Sequence, residues 1–300
     1  MLRPLLFAAF APVCAWAETP KVVTDIAPVH SLVAQVMQGA GSPVLLLDAG
    51  VSPQDANLAP SQLAALQGSG LVIVIGEELT PWLPDMITSL APDTTTLSLL
   101  DSAVVRIEPH THDHDNGHSH GDEGHEHGHQ VDPHAWLDVD NAGAWLGQIA
   151  QALSVADPDN AQLYFENAAM AQQSLSDLSR SLPDTGGIER GFVAYHNSYA
   201  YFARRQEFVA LGTIASDKGA PLSPDDLENA RVLFASGKVA CLFIEAQFSE
   251  ETVETVTEGL DVKVVELDPL GTAHQPGPDL FGNMISDMGA GFRACFAQSD

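Results

Sequence analysis

The stretch EPHTHDHDNGHSHGDEGHEHGHQVDPHAW, residues 108–136, holds nine histidines, and imidazole is the side chain that is both neutral near pH 7 and a good donor to transition metals. Eight of them, His110, His112, His114, His118, His120, His125, His127 and His129, alternate with Asp113, Asp115, Asp122, Glu123, Glu126 and glycine. Such a tract can hold Zn2+, Ni2+ or Cu2+ in many interchangeable ways but presents no single preformed geometry. It reads as a device that gathers or buffers metal, a solvated spacer being the plainer alternative. Residues 108–130 have no periodicity and no apolar face to offset the entropy of ordering them, so a disordered loop is expected there. The ninth histidine, His134, stands in Asp132-Pro133-His134-Ala135-Trp136-Leu137-Asp138, where apolar residues return and the folded body resumes.

Ligands of open α/β sheets bind beyond the carboxyl ends of the strands, and further donors sit at such positions. His196 directly follows the run Phe192-Val193-Ala194-Tyr195, and Asp268 follows Val264-Val265-Glu266-Leu267. In the other half, Gln54 and Asp55 occupy a turn just past an apolar run at 43–47. One half thus offers Gln54 and His134, the other His196 and Asp268. Glu245, past the run 241–244, could accept from a ligand histidine and orient it, or cap the following helix; Asp132 has the same two readings. His30 is expected to be structural, His274 to be solvated, and Glu77 and Glu78 to be loop carboxylates near the rim of a cleft.

The elements that must position these groups are legible in outline. Short aliphatic or β-branched runs recur at 21–24, 43–47, 71–75, 94–100, 192–195, 208–211, 239–244 and 262–267, with helix-like stretches such as 60–66 and 249–260 between most of them. This alternation predicts an α/β protein of two lobes, each a mainly parallel four-stranded sheet flanked by helices. The predicted lobes are 18–156 and 184–300. Between them, 157–183 starts with Asp157-Pro158 and stops at Pro183, as a single long helix would. About 25 helical residues would extend roughly 37 Å, a stiff spar rather than a flexible hinge.

Bulk properties narrow the setting. Arg3, an apolar run from Leu5 to Phe10, and Ala15-Trp16-Ala17 form the pattern of an export signal, residues 1–17, cleaved near Ala17. Removing it leaves 11 basic against 40 acidic side chains, a formal charge of −29, which disfavours nucleic acid and anionic membrane and favours cations. Two cysteines remain, Cys241 and Cys295; an exported protein is expected to pair them, two buried thiols being the alternative. Neither belongs to a C-x-x-C pair, so they do not read as metal ligands.

The segments GVSPQDANLAPSQLAALQGSGLVIVIGEELTPWL (50–83), DPHAWLD, FVAYHNSYAYFARR (192–205), CLFIEAQFSEETVETV (241–256) and ELDPLG (266–271), with the histidine-rich insert, together resemble the periplasmic zinc-binding proteins of zinc-uptake ABC transporters. The resemblance runs over nearly the whole mature chain in the same order. It implies two α/β lobes joined by a long helix, with Zn2+ held in the cleft between them. It implies His134 and His196 as ligands and Asp268 as a carboxylate ligand, with Cys241 and Cys295 matching a disulfide found in some members. A nitrogen-rich site suits zinc better than manganese. The partners implied are an ABC transporter membrane permease, with an auxiliary periplasmic zinc chaperone as a further one, for a monomer that binds no nucleic acid.

One position departs from the family's pattern. Its first ligand is normally a histidine after Ser-Pro, and here Ser52-Pro53 is followed by Gln54, a neutral amide that is a poor zinc ligand beside imidazole. Asp55, a loop histidine or water could fill that position. Two other functions share the metal chemistry: a surface zinc store or adhesin-like protein relying on the tract, and a zinc hydrolase using Glu245 as base. The chain has no H-E-x-x-H, nucleophile elbow or phosphate-cradling glycine loop, so a non-enzymatic role is expected.

Overall fold

The computed structural model describes residues 19–54, 58–101, 131–182, 190–215, 222–245, 250–260 and 262–297. The export signal, Asp55 and the tract 108–130 with its eight histidines lie outside the described residues.

The N-terminal half contributes strands β1 (Val22–Thr24), β2 (Val44–Leu45), β3 (Leu71–Val74) and β4 (Thr95–Ser98). Its helices are α1 (Ala27–Val36), α2 (Pro60–Gln67), α3 (Leu83–Leu90) and α4 (Val139–Ala156). Helix α5 (Ala161–Ser181) joins it to the second half, which holds β5 (Gly191–Ala194), α6 (Ala200–Arg205), β6 (Ala210–Thr213), α7 (Pro224–Ala235), β7 (Val239–Ile244), α8 (Glu250–Thr257), β8 (Lys263–Glu266) and α9 (Leu280–Phe296). Every described strand pair is parallel, and the two sheets have the orders β2-β1-β3-β4 and β6-β5-β7-β8. The two-lobe, parallel-sheet architecture read from the strand-helix alternation is therefore the one adopted. No described helix is long and apolar enough to cross a membrane.

Strand periodicity divides the core. Val22, Leu71, Ile73, Phe192, Cys241 and Phe243 enter one apolar cluster, while their chain neighbours Val23, Val72 and Val74 pack outward in the first half and Val193 and Leu242 do so in the second. Successive strand residues point to opposite faces, so each sheet has one outer face of its own. The inner faces share a single cluster with α1, α4, α5 and α9. The halves are thus welded by common apolar packing, to which Ser31 on α1 adds a bridge: its hydroxyl donates to Pro278 O (3.1 Å) and accepts from Phe281 N (3.0 Å).

The joining helix begins later than its Asp-Pro start suggests. Pro158–Asn160 form a single 3-10 turn, and α5 proper starts at Ala161. The reason is local: the Asp157 carboxylate accepts from Asn160 Nδ2 (2.7 Å) and Tyr164 Oη (2.7 Å) instead of capping backbone N–H groups. That buried bond, reinforced by the Tyr164 ring in the core, fixes the angle at which α5 leaves α4. At the other end of the molecule a Cys241–Cys295 disulfide ties β7 to α9 across 54 positions. The same helix approaches β8 closely, for a Cβ on Gly291 would fall 2.2 Å from the Leu267 side chain.

Candidate metal centre

The strand orders dictate where a site can form. In each sheet the chain moves first to one side of the leading strand and then to the other, which leaves a crevice at the carboxyl ends of β1 and β3 and of β5 and β7. The first crevice is closed by Asp25, a fully buried carboxylate that accepts from Ile26 N (2.8 Å) and Ile75 N (2.8 Å). The second holds His196 and Glu245. His196 Nδ1 lies 2.9 Å from Glu245 Oε1, with the side chains 13% and 4% exposed.

Glu245 is itself held. Tyr199 Oη donates to its Oε1 at 3.1 Å, and Ser198 Oγ stands 3.4 Å from the same atom. Burial, reinforced by the adjacent Glu245 charge, pushes the Tyr199 phenol well above its ordinary range, so it remains a neutral donor. Ser198 Oγ also contacts His196 Nε2. The hydroxyl therefore has two acceptors within reach and can leave Nε2 to a metal while keeping Glu245.

His134 approaches from the segment before α4. It ends a turn in which Asp132 Oδ1 accepts from the His134 backbone N–H (2.9 Å) and lies 2.8 Å from Nδ1. Both side chains are buried, 6% and 1% exposed. In this segment Ala135–Leu137 form a 3-10 turn, and Asp138 caps α4 by accepting from Asp140 N at 2.8 Å. The His134 and His196 rings meet edge to face with centroids 5.8 Å apart. Two imidazoles on one tetrahedral ion, each bonded at about 2 Å, would have centroids roughly 5 Å apart. Each ring has its Nδ1 beside a buried carboxylate, the arrangement that fixes a ligating histidine and turns Nε2 toward a metal.

The other candidates are placed differently. Asp268, past β8, accepts through Oδ2 from Thr272 Oγ1 (3.0 Å) and Ala273 N (2.9 Å). It lines a cavity of about 280 Å³ together with Glu245, Leu267, Thr272 and, from the opposite lobe, Gly50. Among the described residues no three His, Cys, Asp or Glu side chains stand close enough to form a closed metal cage. The structure therefore brings the two histidines together and leaves Asp268 at the cavity wall, oriented by its own loop. Gln54 accepts from Ser52 Oγ (3.0 Å), and its turn is held by Trp82 Nε1 donating to Pro53 O (2.8 Å).

Two secondary readings change, and that of His30 as a structural residue stands. His274 is partnered rather than solvated: its Nε2 lies 2.8 Å from Asp287 Oδ2 on α9. Glu77 and Glu78 line a separate cavity of about 390 Å³ between β4 and α3, with Thr80, Ser98 and Asp101. His30 is buried in α1 with Nε2 against Pro43 O (3.2 Å), and burial lowers its pKa. Ser198 and Tyr199 escaped the sequence reading; the polar run His196-Asn197-Ser198-Tyr199 immediately after a buried strand was the signal that could have found them.

Fold and crevice together define a two-lobed, helix-linked α/β binding protein whose polar groups converge between the lobes. The chain belongs to the family described as zinc-uptake complex component A, periplasmic, whose model matches residues 22–290. Among similar proteins is the high-affinity zinc uptake system protein ZnuA of Paracoccus denitrificans, 36% identical, the alignment covering 98% of this chain and 99% of that protein. Among solved structures, the substrate-binding protein FpvC of Pseudomonas aeruginosa in complex with Mn2+ superposes with a TM-score of 0.79 at 20% identity, over 93% of this chain and 98% of the other. The periplasmic zinc-binding protein TroA of Treponema pallidum gives 0.75 at 20% identity, over 93% and 100%. These two likenesses concern the fold, and the metals in them differ.

Proposed function

We propose that this protein is a periplasmic receptor that captures Zn2+ in the interlobe cleft and passes it to the membrane permease of an ABC transporter, with no chemical step. The observation that carries the reading is the pair His134 and His196, separated by 62 positions in the chain yet 5.8 Å apart, each with Nδ1 beside a buried carboxylate. Two nitrogen donors favour zinc over manganese, and the names of the relatives support the same metal. Asp268 is the proposed third ligand. Its Oδ2 is held by Thr272 and Ala273, which would orient the carboxylate and leave Oδ1 for the metal. Gln54, Asp55, a tract histidine or water supplies the remaining position.

In this reading the tract His110–His129 raises the local zinc concentration and feeds the cleft, Glu245 orients His196, and the receptor works as a monomer. A periplasmic zinc chaperone is a further source of cargo. Counting bound metal tests the assignment in the whole mature protein, in a variant lacking residues 110–129, and in His134→Ala/His196→Ala. The cleft reading expects the loop deletion to keep one tight zinc and the double variant to lose it. The reverse result would make the protein a store that depends on the tract.

A further inference from the structure

We infer that His134 and His196 form a preassembled half-site bonded to the C-terminal lobe, and that Trp136, Tyr201, Asp138 and Arg205 are the positioning residues that hold it together. The inference rests on the proposed ligand roles of the two histidines. By chain order His134 belongs to the N-terminal lobe, but its segment is bonded to the other one.

Among the described residues, the ties occur at successive points along 132–138. Tyr201 Oη, on α6, donates to Asp132 O (3.3 Å). Trp136 Nε1 donates to Pro269 O (2.8 Å), the residue next to Asp268. Asp138, fully buried, faces Arg204 Nη2 at 3.7 Å and Arg205 Nη1 at 3.8 Å. Arg205 Nη1 also pairs with Asp140, and its Nη2 donates to Ser179 Oγ on α5 (2.6 Å). A buried carboxylate between two guanidinium groups has no water to turn to if they separate, so the cost of parting α6 from the start of α4 is large. Since α6 begins four residues after His196 and α4 begins five after His134, the clasp fixes one imidazole relative to the other. The Trp136 bond extends the same unit to the loop bearing Asp268.

The opposite wall of the cleft is built otherwise. The 48–54 turn is held by Trp82, and by Gln62 Nε2 donating to Asp48 Oδ2 at 3.2 Å, both of its own lobe. The Gly50–Gln54 wall is thus bonded within the N-terminal lobe, whereas the histidine pair is bonded to the C-terminal one.

The test uses the purified mature protein and four variants, with zinc affinity read by competition against a chromophoric chelator, ligand geometry by the visible spectrum of bound Co2+, and stability of the metal-free form by thermal unfolding. Trp136→Phe keeps the ring and removes the donor; Arg205→Met keeps the stem and removes the charge; Tyr201→Phe removes one hydroxyl and serves if Arg205→Met fails to fold. The zinc dissociation constant is expected to rise about tenfold in the first two and about threefold in the third, as for other groups that orient a ligand, with shifted Co2+ bands. Wild-type affinity and an unchanged Co2+ spectrum in these variants, whatever their melting temperature, would overturn the positioning role. The fourth variant, His134→Ala/His196→Ala, separates the two ideas. If it retains tight zinc, the ligand reading itself has failed; if it loses zinc while the other three bind normally, only the clasp has failed.

Discussion

His196 shows how much a neighbourhood adds to a residue type. An isolated imidazole is an adequate zinc donor, but one whose Nδ1 faces a buried carboxylate has its tautomer and ring plane set and its basicity raised. Glu245 stands beside Nδ1 of His196 and Asp132 beside Nδ1 of His134. Gln54 is the contrasting case, an amide occupied by Ser52 on the side of the cleft that lacks an imidazole. Gln54→His is expected to lower the zinc dissociation constant by about tenfold or more, since a third imidazole would join the site. A competition titration checks this, and unchanged or weaker binding would mean that position 54 does not reach the metal. The pairing Asp132–His134 was a possibility in the sequence because only Pro133 separates them. For Ser198 and Tyr199 the local run marked only a polar strand exit; that they reach Glu245, 47 and 46 positions away, is decided by the fold.

At the scale of elements, the two sheets share one strand order but put different side chains at their crevices. In the first sheet the place equivalent to His196 and Glu245 is filled by Asp25, bonded to the backbone of β1's end and of the residue after β3. Burial raises its carboxyl pKa from 3.8 to about 6. The folded form thus prefers the neutral acid, so the contribution of this group to stability is full below pH 3.8 and is lost as pH rises through about 6. Urea unfolding of the metal-free protein and of Asp25→Asn, from about pH 4 to pH 7, measures it. The advantage of the native chain over the variant should shrink by about 3 kcal/mol across that window and stay level above it. A pH-independent difference would mean that Asp25 is ionised in the fold throughout. The strands themselves were legible because each is an unbroken apolar run with helices on both sides. The joining helix was legible from Asp157-Pro158, although its first turn, Pro158–Asn160, is 3-10 because Asp157 takes side-chain partners rather than backbone ones.

Over the whole molecule, charge is distributed unevenly. Residues 22–179 contain 21 acidic side chains and one basic one, Arg106, whereas the basic residues of the clasp, Arg204 and Arg205, lie on α6. A negative field over one lobe draws cations toward the cleft, and such steering acts on arrival more than on departure. Stopped-flow capture of zinc should therefore slow several-fold between low salt and about 0.15 M salt, while the dissociation rate stays nearly constant. Equal slowing of both rates would point to an effect of salt on the site itself.

Composition and local pattern determined a good deal by themselves: an acidic chain, eight strands alternating with helices, a histidine-rich tract, and donors at strand exits. These are properties of neighbours in sequence, set by side-chain chemistry and by periods of two and 3.6 residues. What only the tertiary structure decided is which donors meet. His134 and His196 converge because the parallel orders β2-β1-β3-β4 and β6-β5-β7-β8, the shared inner core and the Asp138–Arg205 clasp bring distant segments together. Such contacts depend on long-range packing, and no stretch of chain short enough to be read as a motif contains both partners.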